Sequence, residues 1–347
     1  MKLFNKKNLL LAMMCCTTFL SNSIIAHEEI KSSSSESYQP YFTGGHLPFF
    51  VGELGEKWQF PSDHLPRGMS IGDTHIAFWN ILNKNYLNHI ESNTQGLRDS
   101  SILKDNIPAG NGVKLTLREL TCVQIILDMI NNPTYPRSMI ALEETHGDVI
   151  NYLKKVLPDH WSLVTPSDHP YSQDLYLYNT QIFDFVAIRG VKYEATLPKS
   201  ILTLTLTEIS SGHTYRFVQS HVPGGPNSPE GCKKFAEEVM KQYNTKETTI
   251  IMGDMNASPN TIQDAFKKAA QQNGLERSPF NYVPIDHPSH MSTKLEASWI
   301  DNFFIYRPKG LPGKVQASHL PEEVHESLVP IIELFKEHKK LNEGLSN

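Results

Sequence analysis

The chain has 347 residues and a mass of 39.3 kDa, enough for one large α/β domain or two small ones and too much for a peptide or a disulfide miniprotein. Charged residues make up 20%, hydrophobic residues 39% and aromatics 10%, a globular balance that excludes a disordered chain, a collagen and a coiled coil. The formal charge of −5 becomes −8 once residues 1–26 are set aside, because Lys2, Lys6 and Lys7 lie there and no acid does; this argues against a protein that coats nucleic acid by counterion release, though an acidic enzyme can still hold one local cationic or metal-bearing groove.

In chain order, the first element is a leader. Met1 to Asn8 carries the three lysines, Leu9 to Leu20 is an apolar run, and Ser21 to Ala26 ends in a small residue before His27. That order predicts a secretory signal peptide over 1–26 and a periplasmic or extracellular protein. The apolar run falls short of the ~20 residues a span needs. Met13-Met14 stand before Cys15 where a lipidation site would want small residues. No later stretch is long and apolar enough to cross a bilayer, so the mature chain is expected to have no stable span and to be a monomer. Residues 27–40, with Lys31-Ser-Ser-Ser-Ser-Glu-Ser37, form a Ser-rich linker; a single domain is expected over 41–338 and a polar tail over 339–347. An oxidising compartment permits a bridge between Cys122 and Cys232, and a buried free thiol at Cys122 is equally compatible with its apolar helical surroundings.

Short apolar or alternating runs predict strands at Thr74–Leu82, Met139–Leu142, Leu175–Tyr178, Phe183–Arg189, Ile201–Glu208, Tyr215–Val222, Thr248–Met252, Trp299–Tyr306, Lys314–Leu320 and Leu328–Phe335. Leu117–Asn131 has helical periodicity, with Leu117, Leu120, Val123, Ile126, Leu127 and Ile130 on one face, and further helices are expected near 148–157, 230–243 and 261–272. Short connections from Ile201–Glu208 to Tyr215–Val222, and from Trp299–Tyr306 to Lys314–Leu320, read as hairpins. The mixture predicts an α/β protein with mixed sheets stacked in a sandwich and helices outside, in preference to a doubly wound parallel sheet.

Polar residues interrupt the ends of these strands. Ile76-Ala-Phe-Trp-Asn80 ends in an amide, Met139 to Glu144 in two carboxylates, Phe217-Val-Gln-Ser-His221 in an imidazole, and Ile250 to Asn256 in a carboxylate and an amide two residues apart. Hard oxygen donors gathered at strand ends suit Mg2+ or Mn2+, and a His beside such an ion can contact a phosphate oxygen or move a proton. Each alone has an ordinary explanation: Gly-Asp-x-Asn is commonly an Asx turn, and a strand-end Glu a solvated edge. Their joint order is what carries weight.

That order resembles the endonuclease/exonuclease/phosphatase superfamily from about Thr74 to Leu334. The resemblance implies a DNase I-like four-layer sandwich, two mixed β-sheets packed face to face with helices outside, and a Mg2+- or Mn2+-dependent phosphohydrolase. By motif, Trp79-Asn80 is similar to the first-strand Asn that helps hold metal and phosphate. Leu142-Glu143-Glu144 resembles Leu-Gln-Glu, which makes Glu144 the metal ligand and puts Glu143 where Gln is usual. Asp174-Leu-Tyr-Leu-Tyr-Asn179 resembles the next strand, with Asn179 toward substrate, and Ser220-His221 resembles the Thr-His whose imidazole contacts the phosphate. Gly253-Asp254-Met255-Asn256 matches Gly-Asp-x-Asn, in which Asp254 would position or activate the attacking water and Asn256 steady the transition state. Trp299 to Phe304 is similar to the Ile-Asp-Tyr strand, whose acid, here Asp301, orients a final His.

The resemblance breaks at that final His, which the family carries in Ser-Asp-His-x-Pro before its last strand. Ala317-Ser-His-Leu-Pro321 offers His319 with Ser318 in place of Asp, but Lys314–Leu320 reads better as the strand preceding the motif. Aligning Glu326 to Leu334 with the motif loses one residue and both Asp and His, which leaves His325, one turn earlier, or His319 to stand in. Three readings follow: a nuclease-like phosphodiesterase, first in rank; a phosphatase or phosphodiesterase acting on phospholipid or inositol phosphate; and a catalytically weak or silent binder of phosphate ligands. Trp79-Asn80-Ile81-Leu82-Asn83 departs from the Trp-Asn-Val-Asn-Gly of abasic-site endonucleases, and stretches 83–115 and 273–298 show no basic-aromatic pattern that selects among nucleic acid, phospholipid and inositol phosphate.

Overall fold

The computed structural model describes residues 49–51, 57–59, 62, 64–83, 106–110, 113–131, 137–166, 173–193, 199–284, 289–291, 297–311 and 313–319. Two six-stranded sheets form the core. In chain order the first contains β1 (Arg67–Ile71), β2 (Thr74–Asn80), β3 (Met139–Glu143), β4 (Trp161–Val164) and β5 (Leu175–Asn179), and the second contains β6 (Phe183–Lys192), β7 (Ser200–Glu208), β8 (Thr214–Ser220), β9 (Thr248–Asp254), β10 (Asn281–Val283) and β11 (Asp301–Tyr306); β12 (Val315–His319) returns to the first. The spatial orders are β12-β1-β2-β3-β5-β4 and β6-β7-β8-β9-β11-β10.

Inner-face residues alternate along the strands as period-2 geometry requires. Met69, Ile76, Phe78, Met139, Ala141 and Tyr176 of the first sheet share one buried cluster with Leu204, Leu206, Phe217, Ile250, Met252 and Phe303 of the second. The outer faces are covered by helices. Ala77, Trp79, Ile140 and Leu142 pack on α1 (Leu117–Asn131) and α2 (Gly147–Val156), and Val218, Ile251 and Phe304 pack on α3 (Ser228–Lys241) and α4 (Pro259–Gln272). This is the DNase I-like four-layer α/β sandwich that the resemblance implied. Cys122 and Cys232 are buried free thiols in the two opposite outer layers, so they do not bridge, and burial pushes the Cys122 thiol up to about 12.

One parallel pair sits at the centre of each sheet, β2 with β3 and β8 with β9, and every other pairing is antiparallel. A parallel pair brings two C-terminal strand ends to the same edge, and here the residues that follow those ends are the polar ones noted above. The expected hairpin from Ile201–Glu208 to Tyr215–Val222 is the β7–β8 pair. The expected hairpin from Trp299–Tyr306 to Lys314–Leu320 is not formed: β10 already occupies the free edge of β11, and β12 crosses to the other sheet to pair with β1. β1 itself has no counterpart among the sequence expectations, because Arg67 and Gly68 break the apolar alternation, although Arg67 is 1% exposed. It joins β2 through a tight turn with Gly72 at φ 56°. Among the described residues no helix is long and apolar enough to cross a membrane. The leader, the Ser-rich linker, the expected strand Leu328–Phe335, His325 and the 339–347 tail lie outside the described residues.

Tyr176 on β5 reaches across the sandwich, its hydroxyl 2.9 Å from Leu202 O and 3.1 Å from Phe217 O. Tyr176→Phe is expected to cost ~1 kcal/mol in urea unfolding, the worth of one buried hydrogen bond. Phe217→Ala, which empties the layer beneath it, is expected to cost ~3–5 kcal/mol. Equal losses would show that the hydroxyl, and not packing, joins the sheets.

Candidate active site

The polar edge is assembled from six chain segments. Asn80 ends β2 and Glu144 follows β3; His221 follows β8, Asp254 ends β9, and Asp301 opens the antiparallel β11 directly opposite Asp254. The sixth segment precedes β1. His64 lies there, and because β1 runs antiparallel to β2 it stands beside the end of β2.

Asp254 is the hub. Its Oδ2 lies 3.4 Å from Asn80 Nδ2, 3.4 Å from His221 Nε2 and 3.7 Å from His64 Nε2, and its Oδ1 accepts the Asn256 N–H at 3.0 Å. The His64 ring is held by its other nitrogen, Nδ1, at 2.9 and 3.1 Å from the two Asp301 oxygens. The opposite carboxylate, Glu144, accepts the Asn83 N–H on Oε2 at 2.9 Å, and its Oε1 lies 3.4 Å from His221 Nδ1. Lys199 at the head of β7 places Nζ 2.5 Å from His221 Nε2. With the ammonium donating there, the imidazole proton sits on Nδ1, facing Glu144.

Backbone strain is concentrated here. Glu144, Asn256 and Leu82 have φ of 57°, 45° and 59°, in the left-handed region that side chains other than glycine seldom adopt. Gly253 has φ 149°, and an ideal Cβ at that position would overlap the Ser220 carbonyl oxygen and lie 2.9 Å from Glu143 Oε1, so the glycine of Gly-Asp-x-Asn is required by the close approach of β8.

Burial sets the electrostatics. Asp254 is raised above the ordinary carboxylate range, first by burial and then by Asp301, against the pull of His64, Lys199 and His290. Burial likewise lifts Glu144, and it drives His221 well below the usual imidazole value, helped by Lys199 and His64. Glu143 is fully buried and raised well above its ordinary value by burial and by Asp174 and Asp254; its Oε2 accepts the Asp254 N–H at 3.1 Å, and that is how a Glu fills the place of the usual Gln.

Of the residues singled out from sequence, Asn80, Glu144, His221, Asp254, Asn256 and Asp301 come together. Asn179 does not. β5 runs antiparallel to β3, so Leu175 faces Leu142 while Asn179 lies beyond Met139 at the far end, where its Oδ1 caps the Gln181 N–H. The residue that β5 brings to the site is Asp174 at its start, whose carboxylate accepts the Glu144 backbone N–H and is pushed up to about 7, chiefly by burial. His64 was missed for a different reason. The Ser-Asp-His-x-Pro sequence sought near the C-terminus stands at Ser62-Asp63-His64-Leu65-Pro66, ahead of the first expected strand, and β1 after it serves as the strand that follows the motif. The partner of Asp301 is therefore His64. The other stand-in, His319, ends β12 opposite Arg67.

The donor set has the chemistry of a site for a small hard cation: Glu144 supplies carboxylate oxygens and Asn80 an amide oxygen at the adjoining ends of β3 and β2, with Asn80 Oδ1 also accepting the Leu82 N–H at 3.0 Å and Glu144 Oε2 the Asn83 N–H at 2.9 Å. His64, Asp254 and Asp301 also form a group whose ligand atoms lie within 4.8 Å of one another, but His64 Nδ1 there is engaged by both Asp301 oxygens.

No protein-family model and no curated protein matches the chain. Solved structures similar to it include the human nocturnin catalytic domain with bound sulfate (14% identity, 74% of this chain and 92% of that one, TM-score 0.47). A complex of D. rerio TDP2 with a single-strand DNA product is also similar (15%, 57% and 80%, 0.45), as is a mannosyl-6-phosphatase of Bacteroides thetaiotaomicron (14%, 67% and 84%, 0.45). Likeness at this level carries no information on substrate.

The upward shift of Glu143 makes stability depend on pH. A carboxyl raised in the folded state binds more protons there than in the unfolded chain, so its contribution is complete below the ordinary Glu range and declines as pH rises through the raised value. Glu143→Gln, which keeps the shape and the acceptor, is expected to match the parent in chemical denaturation near pH 4 and to exceed it increasingly toward pH 8. A constant difference across that range would mean that Glu143 is ionised in the fold.

Proposed function

We propose that this protein is a divalent-metal-dependent phosphohydrolase whose reaction is phosphodiester cleavage by in-line attack of water. The observation that carries the reading is the placement of Asp254 within 3.7 Å of two imidazoles, one of them anchored on Asp301, at an edge that also holds Glu144. Glu144 and Asn80 would hold Mg2+ or Mn2+, which supplies Lewis-acid polarisation of a phosphoryl oxygen when bound.

The chain's own groups do the rest. Asp254, buried and raised toward neutrality, orients the attacking water and takes its proton. The Asn256 N–H on Asp254 Oδ1 fixes the carboxylate, while the Asn256 side chain donates to Val222 O at 2.9 Å and keeps the turn rigid. Lys199, held on His221 Nε2, would be the donor to the non-bridging oxygens, where charge grows in the transition state, with His221 as its positioning partner. His64 presents Nε2 to the same centre while Asp301 holds its Nδ1–H, so that tautomer and ring orientation are set before substrate arrives. The bond from water oxygen to phosphorus forms as the ester bond breaks, and the departing oxygen takes its proton from Nε2 of the His64 ring in its doubly protonated form, whose Nδ1–H stays on Asp301. A phosphatase acting on lipid or inositol phosphates would use the same groups, and the choice between them belongs to the walls of the groove.

The test is hydrolysis of bis-p-nitrophenyl phosphate, plasmid DNA, RNA, sphingomyelin and phosphoinositides with Mg2+ or Mn2+, with EDTA expected to abolish turnover. His64→Ala and Asp301→Asn are each expected to lower kcat ~10²–10⁴-fold, and the double variant to lose little more. Multiplying losses would separate the two residues, and an inert parent that binds phosphate would make the protein a binder.

A further inference from the structure

The first turn of α1 touches none of the groups assigned to chemistry, yet it grips both strained turns beside them. Arg118 is 3% exposed and donates through Nη1 to Ile81 O and through Nη2 to Leu82 O, each at 2.8 Å. Leu82 is the residue held at φ 59°; its N–H donates to Asn80 Oδ1 at 3.0 Å, and the next N–H, of Asn83, donates to Glu144 Oε2. The neighbour of Arg118, Glu119, is 2% exposed and works on the other turn. Its Oε2 accepts the Thr116 N–H at 2.8 Å while Thr116 Oγ1 accepts the Glu119 N–H at 3.2 Å, a reciprocal cap of α1. Its Oε1 pairs with His146 Nε2, and His146 Nδ1 in turn accepts the Asp148 N–H at the start of α2. His146 therefore carries its proton on Nε2 and is fixed by Glu119 two residues beyond Glu144.

We infer that Arg118 and Glu119 are positioning residues: the forked guanidinium and the adjacent carboxylate clamp the 81–83 and 144–146 turns against one helix end, and so set the aim of Asn80 and Glu144. A left-handed leucine persists only where its surroundings over-determine it. Two parallel N–H donors in the fixed geometry of one guanidinium meet that requirement, and an ammonium on a flexible stem does not. This rests on the reading of Glu144 as the metal ligand.

The experiment is calorimetric titration of Mg2+ into the full chain and its Arg118→Lys, Arg118→Met and Glu144→Ala variants, with a thermal melt of each. Arg118→Met is expected to weaken Mg2+ binding ~10–100-fold, as loss of an outer-shell partner typically does, and Arg118→Lys to weaken it while melting close to the parent. Should Arg118→Met fail to fold, Arg118→Lys alone decides. Parent-like Mg2+ affinity in the folded Arg118 variants, with binding lost in Glu144→Ala, overturns the inference and leaves the metal reading standing. Parent-like affinity in Glu144→Ala overturns both.

Discussion

The site depends on two hydrogen bonds that cross between the sheets at one edge of the sandwich. Glu143, at the end of β3, accepts the Asp254 N–H from the end of β9, and Gln219 on β8 donates through Nε2 to Leu142 O at 2.6 Å. Each parallel pair aligns two strand ends within its own sheet; these two bonds register one pair against the other. They back the 3.4 Å approaches of Asn80 to Asp254 and of Glu144 to His221 with shorter bonds from the strands themselves. The fit is tight enough that Gly253 has no room for a Cβ, and burial raises the acid at 143 well above its ordinary range.

Burial then does chemical work. Asp254 and Glu144 are lifted by desolvation and His221 is lowered by it, so a site of carboxylates and imidazoles is moved toward neutrality without a cofactor-specific fold. The two histidines are treated differently. His221 is flanked by Lys199 and faces Glu144, whereas His64 is pinned by Asp301, with its ring tilted 45° to that of His290 at 4.5 Å between centroids. One accepts from a lysine while lying between Glu144 and Asp254; the other is an oriented imidazole between Asp301 and Asp254.

Much of this was legible in the sequence, for a physical reason. A polar residue at the end of an otherwise buried strand is costly unless it has a partner, so Asn80, Glu144, His221 and Asp254 stood out against the apolar runs that precede them. What local sequence does not encode is the direction in which a strand returns. Asn179 closes a strand that looks like its neighbours, but antiparallel pairing carries it away from the edge and brings Asp174 in. Likewise the hairpin expected between β11 and β12 depended on loop length alone, and the choice of sheet was made by which edges were free. His64 was hidden by order, since spatial neighbourhood with β2 requires only that its strand pair there, at whichever end of the chain it is encoded. Arg118 and Glu119 resemble the solvated first turn of any helix, and nothing local reveals that both are buried.

In the proposed reaction His64 and Asp301 are an oriented acid–base pair and Glu144 is the metal-binding side. Anomalous diffraction from crystals grown with Mn2+ tests this most directly. The Mn2+ peak is expected against the Glu144 carboxylate, with His64 Nδ1 still on Asp301. A peak coordinated by His64, Asp254 and Asp301, with Glu144 outside its shell, would contradict it.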